Sequence, residues 1–270
     1  MLIDINAYIG HWAFQQLRYN NCETLLGRMN KFGVDVSVIS NMNGIFYKNT
    51  QSANEELYDE IRSDRRFRDR FIPFAVINPI YAGWRDDLEI CTTKMGMKGI
   101  RLYPKYHDYE ITDASLIELV KRARDRDLPV AFNLWMFDSR PRSWMDIDFV
   151  QFGPGRSNAW TVKNIIPIVK EVPDAKYMIL NVANDIRLNS EDMDLFKKAD
   201  VVFDTSGREI SNLGELLKTY GKDKFAFGTH SPILDYLSGL LRIEAMREAE
   251  ADEKTKEFIR SGNAKRILGV

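Results

Sequence analysis

The sequence predicts an α/β fold, a (β/α)8 TIM barrel that forms a single domain over residues 1–270. Short β-branched or aromatic runs alternate with longer runs of helical period, which is typical of βα units around a parallel sheet. Eight such pairs can be counted in the sequence, and eight pairs favour a closed barrel over an open sheet. A chain of 270 residues also suits one barrel, because such domains run to about 250 residues.

The eight predicted strands are short and rich in residues that favour extended backbone. In chain order they are Leu2–Tyr8, Val36–Ser40, Phe71–Ile77, Gly99–Leu102, Val130–Asn133, Tyr177–Asn181, Val201–Asp204 and Phe225–Gly228. Apolar residues at helical spacing between them predict one helix after each strand. These helices are Glu23–Phe32, Ala53–Asp64, Gly83–Met95, Asp113–Asp127, Trp160–Glu171, Ser190–Lys198, Glu209–Tyr220 and Leu234–Arg247. A charged helix near Glu253–Ser261 and a terminal turn from Asn263 complete the chain.

Composition and charge exclude several classes of function. Hydrophobic residues make up 44% and charged residues 29%, values typical of a globular protein with a filled interior. The net charge of −1 provides no concentrated positive field for nucleic acid or an anionic membrane, so we expect a small-molecule ligand instead. Two cysteines, Cys22 and Cys91, predict no disulfide framework and indicate a reducing compartment. The start of the chain lacks the pattern of a signal peptide or membrane anchor, which predicts a cytoplasmic protein.

Polar residues stand at or just beyond the downstream ends of five predicted strands. Because residues two apart on a strand share a face, Asn6 and Tyr8 should point together into the barrel. A single residue of this kind is equally well explained by a hydrogen bond to a loop. Their joint occurrence favours a ligand site at the carboxyl ends of the strands, where barrel enzymes bind substrate. The set comprises Asn6, Tyr8, Asn133, Asn181, Asp204 and His230.

Several segments match the motifs of a known family. Asp4-x-Asn6-x-Tyr8-x-Gly10 is similar to a strand 1 His-x-His motif, GIRLYP (Gly99–Pro104) to a strand 4 motif, and VVFDTSG (Val201–Gly207) to a strand 7 motif. FGTHSP (Phe227–Pro232) is similar to a strand 8 motif that normally carries aspartate, and SGNAKRILGV to a closing helix. With these motifs in order, nearly the whole chain resembles the amidohydrolase superfamily, specifically its amidohydrolase-related (amidohydrolase 2) branch. That branch includes small-acid decarboxylases and lactone hydrolases.

The resemblance implies metal ligands at five positions, which in the family are four histidines and the strand 8 aspartate. The matching positions carry poor ligands, because neutral amides bind zinc weakly and a tyrosine binds well only after losing its proton. A catalytic zinc normally takes about three protein donors. We therefore expect no catalytic metal and no other cofactor. The five positions are Asn6, Tyr8, Asn133, Asn181 and His230.

A metal-free hydrolytic mechanism is nevertheless available to these residues. His230 can act as a general base on water, oriented by Asp204 of the neighbouring strand. Tyr8 and the three asparagine amides can donate hydrogen bonds to a substrate carbonyl or a developing oxyanion. We therefore expect a lactonase-like, metal-independent hydrolase of a small lactone, ester or carboxylated metabolite.

Four further residues near the predicted mouth are candidates for substrate binding. Arg101 shares a strand face with Tyr103, and its guanidinium suits a carboxylate, although pairing with Asp4 explains it equally well. His11 follows the first strand in a long loop. Trp135 belongs to an aromatic-rich loop that either covers a ligand as a lid or packs against the barrel rim or a second subunit. The sequence therefore leaves open whether the protein forms a homo-oligomer.

Two alternative hypotheses remain. The first is a catalytically inactive barrel that binds a small acid or sugar derivative, which the amides at the ligand positions favour. The second is a metal enzyme with His11, His107 and His230 as ligands. Its geometry is unfavourable, because His11 and His107 are predicted to lie in loops beyond the strand ends.

Overall fold

The computed structural model describes residues 1–13, 16–134, 136, 160–181, 186–207 and 212–270. The strands are β1 (Ile3–Ile9), β2 (Val36–Asn41), β3 (Phe71–Pro73), β4 (Ala75–Val76), β5 (Ile100–Leu102), β6 (Val130–Asn133), β7 (Lys176–Leu180), β8 (Asp200–Asp204) and β9 (Phe225–Ala226). The α-helices are α1 (Cys22–Phe32), α2 (Gln51–Ser63), α3 (Arg65–Arg70), α4 (Trp84–Glu89), α5 (Pro104–His107), α6 (Ala114–Arg124), α7 (Ile166–Glu171), α8 (Ser190–Lys198), α9 (Leu213–Tyr220), α10 (Tyr236–Glu244), α11 (Glu253–Glu257) and α12 (Asn263–Leu268).

The strands pair in parallel and in chain order, as βα units require. One sheet has the order β1-β2-β3 and the other runs from β4 to β9. β3 and β4 are the two halves of the single strand predicted over Phe71–Ile77. The break follows Pro73, which has no N–H to donate to a neighbouring strand. Phe74 between them donates its N–H to the Ile39 carbonyl at 2.9 Å and thereby keeps the two sheets together.

Backbone hydrogen bonds also join the first strand to the segment after the last one. Ile5 N–H donates to the Phe227 carbonyl at 2.9 Å, and Tyr8 N–H donates to the Ser231 carbonyl at 2.8 Å. An isolated parallel bridge pairs Ala7 with Ser231. We call these contacts between β1 and residues 227–231 the seam. The strand order and the seam together agree with the predicted (β/α)8 barrel.

The strands separate two apolar cores. Residues on one strand face fill the barrel interior, whereas residues on the other face pack under the helices. The interior core below the mouth includes Ile3, Ile5, Val38, Phe74, Ala131, Met178, Val202 and Ala226. On β1 the pairing register shifts between Asp4 and Ala7, and after the apolar Ile5 the side chains of Asn6 and Tyr8 contact the polar groups of neighbouring strand ends. This change in polarity positions the site at the carboxyl end of the strands.

Helix ends account for most differences from the sequence prediction. The helix predicted over Gly83–Met95 is α4 followed by a π-helical turn, Ile90–Lys94, and the charged helix α11 runs into a second π-helical turn, Phe258–Gly262. The terminal turn predicted from Asn263 is a helix, α12. Helices α3 and α5 were not predicted; α5 begins at Pro104, a residue suited to the first helical position. Among the described residues, no helix has the length and apolar composition needed to cross a membrane.

Candidate active site

The strand-end residues singled out from the sequence form a buried polar cluster. Asn6, Tyr8, Asp204 and His230 are fully buried, and Asn133 is 1% exposed. Asn133 is the last residue of β6 and Asp204 is the last residue of β8. Asn181 follows β7 directly, and His230 lies shortly after β9. Asn181 and His230 adopt left-handed backbone conformations, with φ of 62° and 56°. Such conformations are uncommon for residues other than glycine and are frequent at functional sites.

Asp204 is held by two nitrogen donors. Its Oδ2 accepts a hydrogen bond from Asn6 Nδ2 at 2.7 Å, and its Oδ1 accepts one from the backbone N–H of Asn181 at 2.6 Å. Asn6 Nδ2 also lies 3.3 Å from Nδ1 of His230. Asp204 is therefore connected to His230 through the Asn6 amide. The direct orientation of His230 by Asp204 that the sequence suggested is replaced by this three-residue arrangement.

Tyr8 occupies the space between Asn133 and His230. Asn133 Nδ2 donates to the Tyr8 hydroxyl at 2.5 Å, and that hydroxyl lies 3.5 Å from Nδ1 of His230. The Tyr8 and His230 rings meet edge to face, with centroids 5.2 Å apart. Burial raises the pKa of Tyr8 well above its ordinary value, so the phenol keeps its proton. Tyr8 is therefore a neutral hydroxyl that accepts from Asn133 and can donate its own proton.

Arg101 is a fully buried cation beside this cluster. Its Nη1 donates to the Ala7 carbonyl at 3.0 Å, and its Cζ lies 4.4 Å from the centroid of the Tyr8 ring. Within the described part of the chain, neither Nε nor Nη2 of Arg101 has a hydrogen-bond partner, and neither does the buried hydroxyl of Tyr103. Burial raises the pKa of Tyr103 to about 12, although the charge of Arg101 and the proximity of its side chain to the Tyr103 hydroxyl oppose the rise.

The alternative interpretation, in which Arg101 pairs with Asp4, is wrong for this structure. Asp4 accepts hydrogen bonds from the Asn6 and Thr229 N–H groups at 2.9 and 3.0 Å and from the Thr229 hydroxyl at 2.6 Å. These hydrogen bonds satisfy both oxygens of the Asp4 carboxylate. Within the described part of the chain, the guanidinium of Arg101 therefore has no carboxylate bonded to it.

The residues at the family's ligand positions do not fit a divalent metal. The Asn6 and Asn133 amides turn their nitrogen atoms toward Asp204 and Tyr8, and an amide nitrogen is a donor without a metal-binding lone pair. The phenol of Tyr8 keeps its proton. Among the described residues, no group of three or more His, Cys, Asp or Glu side chains could hold a metal ion. His230 is thus the one good ligand type of the five positions.

The remaining candidates lie apart from the cluster or outside the described residues. His11 is exposed and lines a separate pocket of about 180 Å³ with Asn41, Glu56 and Glu60. His107 is buried, and its Nε2 lies 2.9 Å from the Gly44 carbonyl oxygen. The structure therefore does not bring His11 and His107 together with His230 as metal ligands. Trp135 and the aromatic residues of the loop at 137–159 lie outside the described residues.

Ser206 is a member of the cluster that the sequence interpretation missed. Its Oγ donates to Asn181 Oδ1 at 3.3 Å and lies 3.4 Å from Asn6 Nδ2. Ser206 is two residues beyond Asp204 in the VVFDTSG segment. The strand parity used for Asn6 and Tyr8 therefore contained the signal that could have identified it.

Comparison with known proteins places the chain by its fold. No protein-family model matches it, and no curated protein matches it. A variant of 5-carboxyvanillate decarboxylase from Novosphingobium aromaticivorans, solved with bound manganese, superimposes with a TM-score of 0.75 at 13% identity, covering 100% of this chain and 97% of that chain. A 4-oxalomesaconate hydratase from Rhodopseudomonas palustris gives 0.70 at 18% identity, with coverage of 100% and 96%. A provisionally assigned amidohydrolase from Staphylococcus aureus gives 0.71 at 17% identity, with coverage of 100% and 99%.

These likenesses span essentially the full length of every chain compared. At identities below 20% they show a shared fold. They confirm the TIM-barrel class, and the resemblance to amidohydrolases inferred from the motifs is confirmed at the level of the fold.

Proposed function

We propose that this chain is a metal-independent hydrolase of the amidohydrolase superfamily that acts on a small lactone or ester carrying a carboxylate. One observation carries the proposal: the buried Tyr8 ring at the end of the barrel where such enzymes bind substrate contacts both the Arg101 guanidinium and the His230 imidazole. Two donor nitrogens of this guanidinium have no hydrogen-bond partner among the described residues. The guanidinium provides binding and the imidazole provides proton transfer.

The Arg101 guanidinium suits a carboxylate ligand. Nε and Nη2 are adjacent donors on one edge of the planar group, and two parallel N–H···O bonds to a carboxylate need this pair. The Nη1 bond to Ala7 and the Tyr8 ring hold the guanidinium in place before a ligand arrives. The Tyr103 hydroxyl and the Oδ1 atoms of Asn6 and Asn133 are buried polar atoms without partners among the described residues. They can satisfy the other polar atoms of a small oxygen-rich ligand.

His230 is the proton-transfer group of this proposal. Ester hydrolysis requires one proton to leave the attacking water and one to reach the departing oxygen, and an imidazole can exchange both near neutral pH. Asn133 and Tyr8 present neutral N–H and O–H donors next to the imidazole, where negative charge develops on a carbonyl oxygen. An alcohol is a better leaving group than an amine, so the cluster suits an ester or lactone better than an amide.

The neighbours support a carboxylated ligand. The decarboxylase with the TM-score of 0.75 takes its name from a carboxylated aromatic molecule. Its bound manganese has no equivalent in the proposal, because the five ligand positions of this chain carry amides, a protonated phenol and one histidine.

The test is a panel of paired substrates. Each small lactone or aryl ester is offered with a free carboxylate and as the matching neutral methyl ester, to metal-depleted protein and to protein with added zinc or manganese. We expect turnover of carboxylated members without metal, loss of activity in His230→Gln, and loss of the preference for the carboxylate in Arg101→Met. Turnover only after metal addition would reject the metal-independent mechanism.

A specific observation also favours the second candidate, an inactive barrel that binds a small acid. Both oxygens of Asp204 accept hydrogen bonds from nitrogen donors, so the carboxylate does not itself polarise His230. Calorimetry with the same carboxylated compounds separates the two candidates. Binding that depends on Arg101, without turnover of any member of the panel, would establish the binding protein in place of the hydrolase.

A further inference from the structure

The amide of Asn6 lies between the carboxylate of Asp204 and the imidazole of His230. Its orientation determines whether these two groups face a hydrogen-bond donor or an acceptor. Asn6 Nδ2 is 2.7 Å from Asp204 Oδ2 and 3.3 Å from His230 Nδ1. The other carboxylate oxygen of Asp204 accepts from the Asn181 N–H at 2.6 Å. Because N–H donors approach both oxygens, the arrangement suits an ionised carboxylate, which offers lone pairs only.

The surroundings of Asp204 shift its pKa in both directions. Burial raises its pKa, whereas contacts with Ser206 and Asn6, the Asn181 N–H and the charge of Arg242 lower it. Asp4 on β1 is a second buried carboxyl within electrostatic range. The two short N–H···O contacts to opposite oxygens remain the geometric reason for treating Asp204 as ionised.

An ionised Asp204 fixes the Asn6 amide with its nitrogen toward both neighbours. Turning the amide over would bring Oδ1 against the carboxylate oxygen, two acceptors without a proton between them. The nitrogen of an amide has no lone pair that can accept a hydrogen bond, so a proton on Nδ1 of His230 would point at another donor. The Tyr8 hydroxyl also lies 3.5 Å from Nδ1; it accepts from Asn133 and can donate its own proton to Nδ1.

We propose that Asn6 is a positioning residue that holds His230 as the Nε2–H tautomer, so that the resting imidazole meets a substrate as a hydrogen-bond donor and general acid. For catalysis the inference rests on the proposed hydrolase. The Nε2 proton passes to the departing oxygen as the ester C–O bond breaks, and Nδ1 takes the Tyr8 hydroxyl proton, so that the imidazole stays neutral. The attacking water forms the new C–O bond and gives its proton to Nε2, and the Nδ1 proton returns to Tyr8. This replaces the general-base role that the sequence suggested for the resting His230.

The test reads the tautomer directly and needs no substrate. The full chain is labelled with ¹⁵N at its 3 histidines, and long-range proton–nitrogen correlation spectra distinguish the two tautomers and the imidazolium. His230→Gln identifies the signals of residue 230 by their loss. We expect Nε2 of His230 to carry the proton near neutral pH. A proton on Nδ1, or an imidazolium, would overturn the proposal.

A substitution at Asp204 should invert the result. In Asp204→Asn the Asn181 N–H still requires an acceptor, so the new amide turns its oxygen to that N–H and its nitrogen to Asn6. Asn6 then presents Oδ1, which can accept a proton from Nδ1 of His230. We expect the Nε2–H to Nδ1–H ratio to fall by roughly five- to tenfold or to reverse, the size of one net hydrogen bond.

Asp252→Asn is the matched control, since it makes the same substitution at an exposed carboxylate that caps α11. The control should keep the wild-type tautomer. An unchanged tautomer in Asp204→Asn, or a change of the same size in the control, would overturn the coupling through Asn6. If Asp204→Asn does not fold, the wild-type spectrum still decides the tautomer. A failure to find hydrolysis would leave these spectra unaffected, so the two proposals can fail separately.

Discussion

Two buried charges on different strands differ in how completely the protein satisfies them. Asp4 on β1 accepts three hydrogen bonds, one from Asn6 within the strand and two from Thr229 across the seam. Arg101 on β5 makes one, to the Ala7 carbonyl, and two of its nitrogens have no partner among the described residues. An unsatisfied buried charge costs several kcal/mol, whereas a satisfied one is tolerated. The contrast supports the proposal that Arg101 binds a ligand, whereas Asp4 joins β1 to Thr229.

His230 takes part in both the seam, through its backbone, and the polar cluster, through its ring. A substitution of this residue can therefore separate the two roles. Its backbone N–H donates to the Asn6 carbonyl at 2.7 Å in the seam, while its ring lies beside Tyr8. In His230→Gln the backbone bond remains and the imidazole is lost. We expect hydrolysis of a carboxylated ester to fall by about 10²–10⁴-fold, the usual contribution of acid–base catalysis. Initial rates and urea unfolding of both proteins check this, and unchanged turnover would remove His230 from the chemistry.

Arg101→Met tests whether the unsatisfied charge serves a ligand. Methionine fills a similar volume without a charge, so the apolar environment is preserved. We expect affinity for a carboxylated compound to fall by about 2–5 kcal/mol, the loss typical of removing one partner of a buried charge pair. The folded protein should be as stable as wild type or more stable, because the uncompensated charge is gone. Calorimetry and thermal unfolding measure the two effects. A large loss of stability would instead make Arg101 a structural residue like Asp4.

Asp4→Asn tests the satisfied charge in the seam. Burial raises the pKa of Asp4 to about 6, from an ordinary value of 3.8. Because the folded protein then holds this proton more tightly than the unfolded chain, stability decreases as the pH rises from about 4 to about 6. The decrease amounts to roughly 3 kcal/mol for this group. An asparagine resembles the protonated carboxyl, since it accepts through Oδ1 and can donate to the Thr229 hydroxyl, so the variant should lack this decrease.

Urea unfolding at several pH values measures the Asp4 effect. Burial also raises the pKa of Asp87 to about 6, so the difference between wild type and variant isolates Asp4. Asp252→Asn is a suitable control because residue 252 is exposed, its pKa is lowered by the Thr255 contacts, and asparagine can still cap α11. Parallel pH profiles of wild type and Asp4→Asn would show that this carboxyl does not carry the expected proton.

The same two regions show which features could be read from the sequence. Strand parity predicted that Asn6 and Tyr8 share a face, and both lie in the cluster. Parity places Ile3 and Ile5 on the opposite face, yet both pack in the interior core, because the pairing register of β1 shifts between Asp4 and Ala7. The partner of a buried polar group does not follow from strand parity. The sequence allowed Arg101 to pair with Asp4, but the N–H and hydroxyl of Thr229, far away in the chain, bind the Asp4 carboxylate instead. The proton position on His230 likewise depends on contacts between residues about two hundred positions apart.

The smallest effect we predict is that of a divalent metal on stability. A metal that binds only the folded protein raises the unfolding temperature by mass action, and the rise increases with its affinity. The amides of Asn6 and Asn133 are turned with their nitrogens to Asp204 and Tyr8, and Tyr8 keeps its proton, so zinc or manganese would have to break these hydrogen bonds to find one good ligand. We therefore expect no shift in unfolding temperature on adding either ion to metal-depleted protein. His230→Gln is the control for surface binding, since a shift that disappears in this variant would reveal a metal in the mouth and contradict the assignment.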